Sequence, residues 1–144
     1  MSAALDCYVA LLQSTNATNL DDLLTGFTED ARFRDPFSDV RGKPKIRRVF
    51  EKTYDDVDDV RFVVTDQASG REAHYLRWTF TCLPKGLLRR QGPLAIDGLS
   101  EIHLNDEGFV TAHLDYWDPA PGLYGRVPLL GLALRSLRRQ IGVR

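Results

Sequence analysis

Residues 32–37 read RFRDPF, a carboxylate held between an arginine and a proline. Three roles are open to Asp35 in that setting. Its side chain can close an Asx-type turn before Pro36. It can pair with Arg32 or Arg34, or, if burial raises its proton affinity, it can act as a base. If Phe33 packs inward, Arg32 and Arg34 share the opposite face of a short strand, and the turn decides where Asp35 points. A second cluster stands in FVTAHLDYWD, residues 109–118. Alternation puts Phe109, Thr111, His113, Asp115 and Trp117 on one side, and Val110, Ala112, Leu114 and Tyr116 on the other. A histidine and an aspartate on one face either satisfy each other beside a packed tryptophan or form a polar acid–base centre.

The other reactive residue types form no such constellation. His74 and His103 lie in strands without a metal-ligand partner at recognisable spacing, and read as surface or packed histidines. Asp55, Asp56, Asp58 and Asp59 make an acidic turn without the glycine and terminal glutamate of a calcium loop. Cys7 and Cys82 are far apart in sequence and lack metal or redox spacing, which fits two reduced, packed thiols. A Gly-rich phosphate loop, a GxSxG elbow and an HExxH helix are all missing from the sequence. Neither a metal nor a cofactor is expected.

The elements that must position Asp35, His113 and Asp115 follow from periodicity. Leu5, Val9 and Leu12 recur at helical spacing, and the polar cluster Ser14 to Asn19 ends that helix. Asn19 can cap a second helix, with Leu20, Leu23, Leu24 and Phe27 as its apolar stripe and Asp21 and Asp22 in its first turn. A short extended piece, 31–34, stops at Asp35-Pro36. A third helix is expected from about Pro44 to Tyr54, with Ile46, Val49 and Phe50 inward. The pattern then changes to period two over 61–66, 72–82, 94–104 and 109–117, separated by turn residues. Helices first and a four-stranded antiparallel meander afterwards indicate an α+β domain whose curved sheet wraps around the helices.

At 144 residues the chain has the size of one domain. Hydrophobic residues at 43% and charged residues at 27% exclude a disordered chain, and no apolar run is long enough to cross a bilayer. A formal net charge of −1 offers no overall field for nucleic acid, so no nucleic-acid partner is expected. The start, MSAALDCYVALL, has no basic segment before its apolar run and carries Asp6 within it, which points to a cytoplasmic protein without a signal peptide.

CYVALL, NLDDLLTGFTEDARFRDPF, Gly42 with KIRRVF, and LNDEGFVTAHLDYWD occur in an order that resembles the nuclear transport factor two-like superfamily, particularly its ketosteroid isomerase and SnoaL-like branch. The resemblance covers about residues 5 to 118. It implies a cone-shaped, cystatin-like α+β fold that hosts isomerases, dehydratases, cyclases and silent binding modules alike. It also implies that Asp35 occupies the place of the general base and Tyr8 that of a hydrogen-bond donor to an enolate oxygen. The third polar position falls on Asp97 by the LAID segment or on Ser100 by counting back from the Asn105–Gly108 turn. These two face opposite sides unless a bulge at Gly98 intervenes. Phe50 stands where such isomerases carry a supporting tyrosine. Trp78 and Trp117 join Phe50, Asp97 and Ser100 as ligand-contacting candidates, and the inner face of the last strand would put His113 and Asp115 in the pocket. The outer face often lies in a dimer interface, and Val110, Leu114 and Tyr116 would form an exposed stripe there, so a homodimer is expected.

Residues 119–144 continue beyond the resembling core. Leu130, Leu134, Leu137 and Ile141 repeat at helical spacing, with Arg135, Arg138 and Arg139 beside them and no acid after Asp118. An amphipathic helix is expected from about Leu129 to Gln140. It would pack over the cone mouth or a partner subunit; the alternative is an interfacial helix drawn to anionic lipid. Two functional readings stand side by side. One is a cofactor-free isomerase, dehydratase or cyclase with Asp35 as base, Tyr8 as donor and His113–Asp115 as a second polar centre, acting on a small, partly apolar organic molecule. The other is a non-catalytic ligand-binding or interaction module of the same fold.

Overall fold

The computed structural model describes residues 2–143. Helix α1, Ala3–Ser14, starts at Ser2, whose Oγ accepts from the Leu5 amide at 3.3 Å, and it buries Leu5, Tyr8 and Leu12. Asn19 holds the N-cap position of the next helix, but its side chain makes no capping bond. Its Oδ1 accepts from the Asn16 amide and its Nδ2 donates to the Ser14 carbonyl, so it braces the connecting loop. Helix α2 is a single short piece, Leu20–Leu24, and Phe27 opens a strand where its helical stripe predicts a fourth turn residue. Gly26 explains the switch. A side chain there would meet Leu11, Tyr8 and the Leu23 carbonyl at 3.2–3.3 Å, and its own carbonyl accepts from the Val110 amide at 2.8 Å, drawing the chain into the sheet.

The strands are β1 Phe27–Arg34, β2 Asp39–Arg41, β3 Val57–Ser69, β4 His74–Pro84, β5 Leu94–Leu104 and β6 Val110–Tyr116, and α3 spans Lys43–Asp56 between β2 and β3. They form one six-stranded sheet in the order β2-β1-β6-β5-β4-β3. The antiparallel meander from β3 to β6 is as the alternation predicts, whereas β1 joins β6 in parallel. Bulges in β3 and β6 bend the sheet around the helices. The fold is an α+β cone, closed at one end by a core that includes Leu5, Leu23, Phe27, Ile46, Leu76 and Ile102.

The β6 bulge corrects the face assignment made from alternation. His103 pairs with Ala112 but Leu104 pairs with Val110, which leaves Thr111 as the extra residue. Val110 therefore turns inward and is fully buried, on the same side as His113, while Phe109 is 40% exposed. The expected outer stripe loses Val110; Leu114 keeps 8% exposure and Tyr116 47%.

After β6, Asp118 Oδ1 accepts from the Ala120 amide at 2.9 Å and caps the short helix α4, Pro119–Gly122. A 3-10 turn, Tyr124–Arg126, follows, and the Arg126 guanidinium donates to the carbonyls of Gly92 and Pro93 at 2.7 and 2.6 Å. The amphipathic helix is present as α5, Leu130–Ile141, but it does not lie over the cone. Gly131 packs so tightly on Gly125 that a Cβ would fall 2.3 Å from the Gly125 carbonyl oxygen, which fixes the first turn of α5 to the 3-10 turn. The rest of its stripe stays open, with Leu130, Leu137 and Ile141 at 42%, 50% and 76% exposure. The earlier part of the extension does reach the body, through Leu123.

Candidate active site

Strand register assembles the polar centre. The parallel β1–β6 pairing sets Phe33 beside His113 and Arg34 beside Leu114, so Asp35 emerges next to the end of β6. In β5–β6 Ser100 opposes Asp115 and Ile102 opposes His113, and in β4–β5 Trp78 opposes Gly98. The result is one continuous hydrogen-bonded chain. Trp78 Nε1 donates to Ser100 Oγ at 2.8 Å, and Ser100 Oγ donates to Asp115 Oδ1 at 2.5 Å. The same Oδ1 lies 2.7 Å from His113 Nε2, while His113 Nδ1 lies 2.6 Å from the Tyr8 hydroxyl.

Burial, and secondarily the charge of Asp115, push the Tyr8 phenol well above its ordinary pKa. Tyr8 therefore stays a neutral O–H donor. With Tyr8 donating to Nδ1, the Nε2–H of His113 donates to Asp115 Oδ1. Phe33 stacks on His113 with ring centroids 4.9 Å apart and fixes the imidazole plane.

Of its three expected roles, Asp35 takes that of the turn. Its Oδ1 accepts from the amides of Phe37 and Ser38 at 2.8 and 2.7 Å, closing an Asx turn. Its carboxyl also borders the cavity, where burial raises its pKa above the usual carboxylate range against the pull of those two amide donors. Asp115 pushes in the same direction as burial and His113 against it. The salt-bridge role is not taken. Arg32 forms a forked pair with Asp39 at 2.8 and 2.7 Å, and Arg34 donates to the Tyr116 hydroxyl at 2.6 Å.

The cavity between sheet and helices has a volume of about 750 Å³. Phe33, Phe50, Phe62, Trp78, Phe80 and Trp117 make much of its wall; Asp35, His113 and Asp115 are among its polar lining, and Lys52, Asp56 and Lys85 also border it. Phe50, Trp78 and Trp117, three of the ligand-contacting candidates, all border this cavity. Ser100 is fully buried beneath the wall, holding Trp78 and Asp115. Two expectations are corrected. Asp97 is exposed and bonded to Thr79 Oγ1 on the outer face, because β4–β5 pairing runs unbroken through Gly98 and no bulge reverses it. Tyr8 does not border the cavity; its hydroxyl is taken by His113. Phe33 packs inward as the strand reading requires, and Phe62, Phe80 and Ile96, not named among the site residues, line the cavity at positions that period-two alternation marks as inward. Among the described residues no group of three His, Cys, Asp or Glu side chains could hold a metal ion. Cys7 and Cys82 are free thiols; Cys82 is buried and borders the cavity, whereas Cys7 is exposed on α1 and not packed as expected.

A curved open sheet wrapped over helices, with an aspartate after the first strand and a polar inner face on the last, is the nuclear transport factor two-like fold. Residues 8–113 match the SnoaL-like domain family, and the chain belongs to that family. No curated protein matches the sequence significantly. Among solved structures, a Catenulispora acidiphila protein with a ketosteroid isomerase-like fold, in complex with trimethylamine, aligns at 16% identity and a TM-score of 0.69, covering 83% of this chain and 88% of its own. A putative SnoaL-like polyketide cyclase from Shewanella putrefaciens aligns at 18% identity and a TM-score of 0.64, covering 82% and 81%. AclR, a putative hydroxylase from Streptomyces galilaeus, aligns at 17% identity and a TM-score of 0.64 over 99% of this chain and 96% of its own. At these identities the likeness establishes the fold.

Proposed function

We propose that the cavity takes a small, largely apolar organic molecule bearing a carbonyl, and that Asp35 removes a proton from the carbon beside it. The reaction is an isomerisation, dehydration or cyclisation that needs no cofactor, carried out by a homodimer. The observation that carries this reading is Asp35 itself: a cavity carboxyl with raised proton affinity, from which both neighbouring arginines are diverted to the outer face. A base must be ionised to accept a proton yet basic enough to hold it, and partial burial supplies that balance. Asp115 is the second polar centre. Its Oδ1 takes both Ser100 and His113, and its Oδ2 has no hydrogen-bond partner among the described residues. Tyr8 acts through His113, fixing the ring, rather than on the ligand.

Native mass spectrometry of the purified protein identifies the retained molecule. Nuclear magnetic resonance in deuterated water then follows exchange at the carbon beside its carbonyl. Asp35→Asn should keep binding and lose exchange; undiminished exchange in that variant sinks the base assignment. One observation favours the non-catalytic alternative: His113 and Tyr8 are saturated by their internal bonds. On that reading the retained molecule shows no exchange in the wild type.

A further inference from the structure

Helix α5 leaves the domain with its apolar side uncovered. Leu130, Leu134, Leu137 and Ile141 fall within one narrow arc by helical spacing, and apart from half-buried Leu134 they are exposed. Arg138 flanks that arc and Arg135 and Arg139 lie across from it, all three exposed. Among the described residues none of the three forms an ion pair, and no acidic residue follows Asp118. The adjoining turn, Gly86–Gln91, is tied to the extension by Gln91 Nε2 donating to the Arg126 carbonyl at 2.5 Å. It adds Leu87 at 68% exposure and the exposed Arg90.

We propose that α5 docks the protein on an anionic bilayer surface, its leucine–isoleucine stripe entering the acyl boundary and Arg135, Arg138 and Arg139 meeting the lipid phosphates. Charge decides between this occupant and a second copy of the chain. Two α5 helices packed stripe to stripe would set each Arg138 beside the seam with no acid to offset it and leave Arg135 and Arg139 facing outward without an acidic partner. The chain's own acidic turn is partly occupied, because Asp58 pairs with Lys85 and Arg89, and Asp56 pairs with Lys52. An anionic lipid surface satisfies both sides of the helix at once: apolar contact for the stripe and negative charge for the guanidinium groups. The helix is not a membrane span, and no described helix is long and apolar enough to be one.

Flotation of the full chain with vesicles tests this. Vesicles of phosphatidylcholine and phosphatidylserine in a two-to-one ratio should carry the protein, and phosphatidylcholine alone should carry much less. Raising the salt should release it, since the attraction is screened. The triple variant R135Q/R138Q/R139Q should lower partition about a hundredfold, and L137D/I141D should abolish it. Both variants should keep the wild-type circular dichroism spectrum and melting temperature, because these side chains lie outside the core. Wild type that stays off the mixed vesicles overturns the proposal, as does equal flotation of the arginine variant. An oligomer that L137D/I141D dissolves in the absence of lipid would also overturn it, in favour of a second copy as the occupant.

Discussion

The carboxyl of Asp35 accepts two backbone amides through one oxygen while the cavity withdraws it from water, and the two effects oppose each other in its proton affinity. Burial wins, so the folded protein holds this proton more tightly than the unfolded chain does. Stability from this group therefore falls as pH rises from the ordinary carboxylate value of 3.8 towards the raised one, and is constant above it. Asparagine keeps the turn acceptor and removes the buried charge. Asp35→Asn should accordingly melt higher than wild type at neutral pH, with the gap closing at pH below the ordinary carboxylate value. The same raised value sets the activity profile: turnover should increase with pH through a midpoint above the normal carboxylate range, and an unshifted midpoint would count against Asp35 as the base. Ser100 poses a different question, since its hydroxyl both accepts from Trp78 and donates to Asp115. Ser100→Ala strands a buried indole N–H and removes one donor from the carboxylate. It should cost about 1–3 kcal/mol in chemical denaturation, whereas Ser100→Thr, which restores the hydroxyl, should recover part of that loss.

Among the elements, the β4–β5 pair shows how a wall residue is held. Trp78 lies across Gly98, where a Cβ would come 2.4 Å from the six-membered ring. Because Ser100 pins the indole nitrogen, Gly98→Ala must push the ring into the cavity. That should destabilise the protein by about 1–3 kcal/mol, read from the denaturant midpoint, and should alter tryptophan emission and ligand retention together. The glycine was legible as a break in the LAIDGLS strand, but its bulge reading fails because the neighbour demanding space is a tryptophan twenty residues earlier in the chain. The same division runs through the fold. Patterns confined to one element, such as Leu5/Val9/Leu12, Ile46/Val49/Phe50 and the alternation of 94–104, identify helix and strand because each is repeated by local geometry alone. Features that depend on a distant partner do not appear in any window. Phe27 reads as helical until Val110 bonds to Gly26, Thr111 reads as regular until β5 is laid beside it, and Tyr8 faces a ligand or His113 according to where β6 comes to rest. The turn chemistry of Asp35 is local and legible in RFRDPF, whereas its place at the cavity, which only the family resemblance implied, is created by the parallel β1–β6 pairing.

For the whole molecule, the outer face of the sheet is the surface through which two copies should meet. Its apolar centre is smaller than alternation implies, since Val110 points inward. Leu99 and Tyr116 are nevertheless register partners, 41% and 47% exposed, with Leu114 beneath them. Around them the polar groups are already arranged as a rim. Arg34 lies over the Tyr116 ring at 5.1 Å and donates to its hydroxyl, which in turn reaches Glu101 Oε2 at 3.3 Å. An apolar centre bounded by ordered charges is the anatomy of a two-fold interface, in which the same patch serves both copies. Light scattering should therefore give a dimer at micromolar concentration. Leu99→Glu sets two like charges against each other across the two-fold axis and should yield a monomer. That monomer should keep its circular dichroism spectrum and its cavity, because Leu99 faces away from both. L137D/I141D, which alters only α5, should leave the dimer intact. A wild-type monomer at the same concentration, or a dimer that survives Leu99→Glu and dissolves with L137D/I141D, would move the interface away from the sheet.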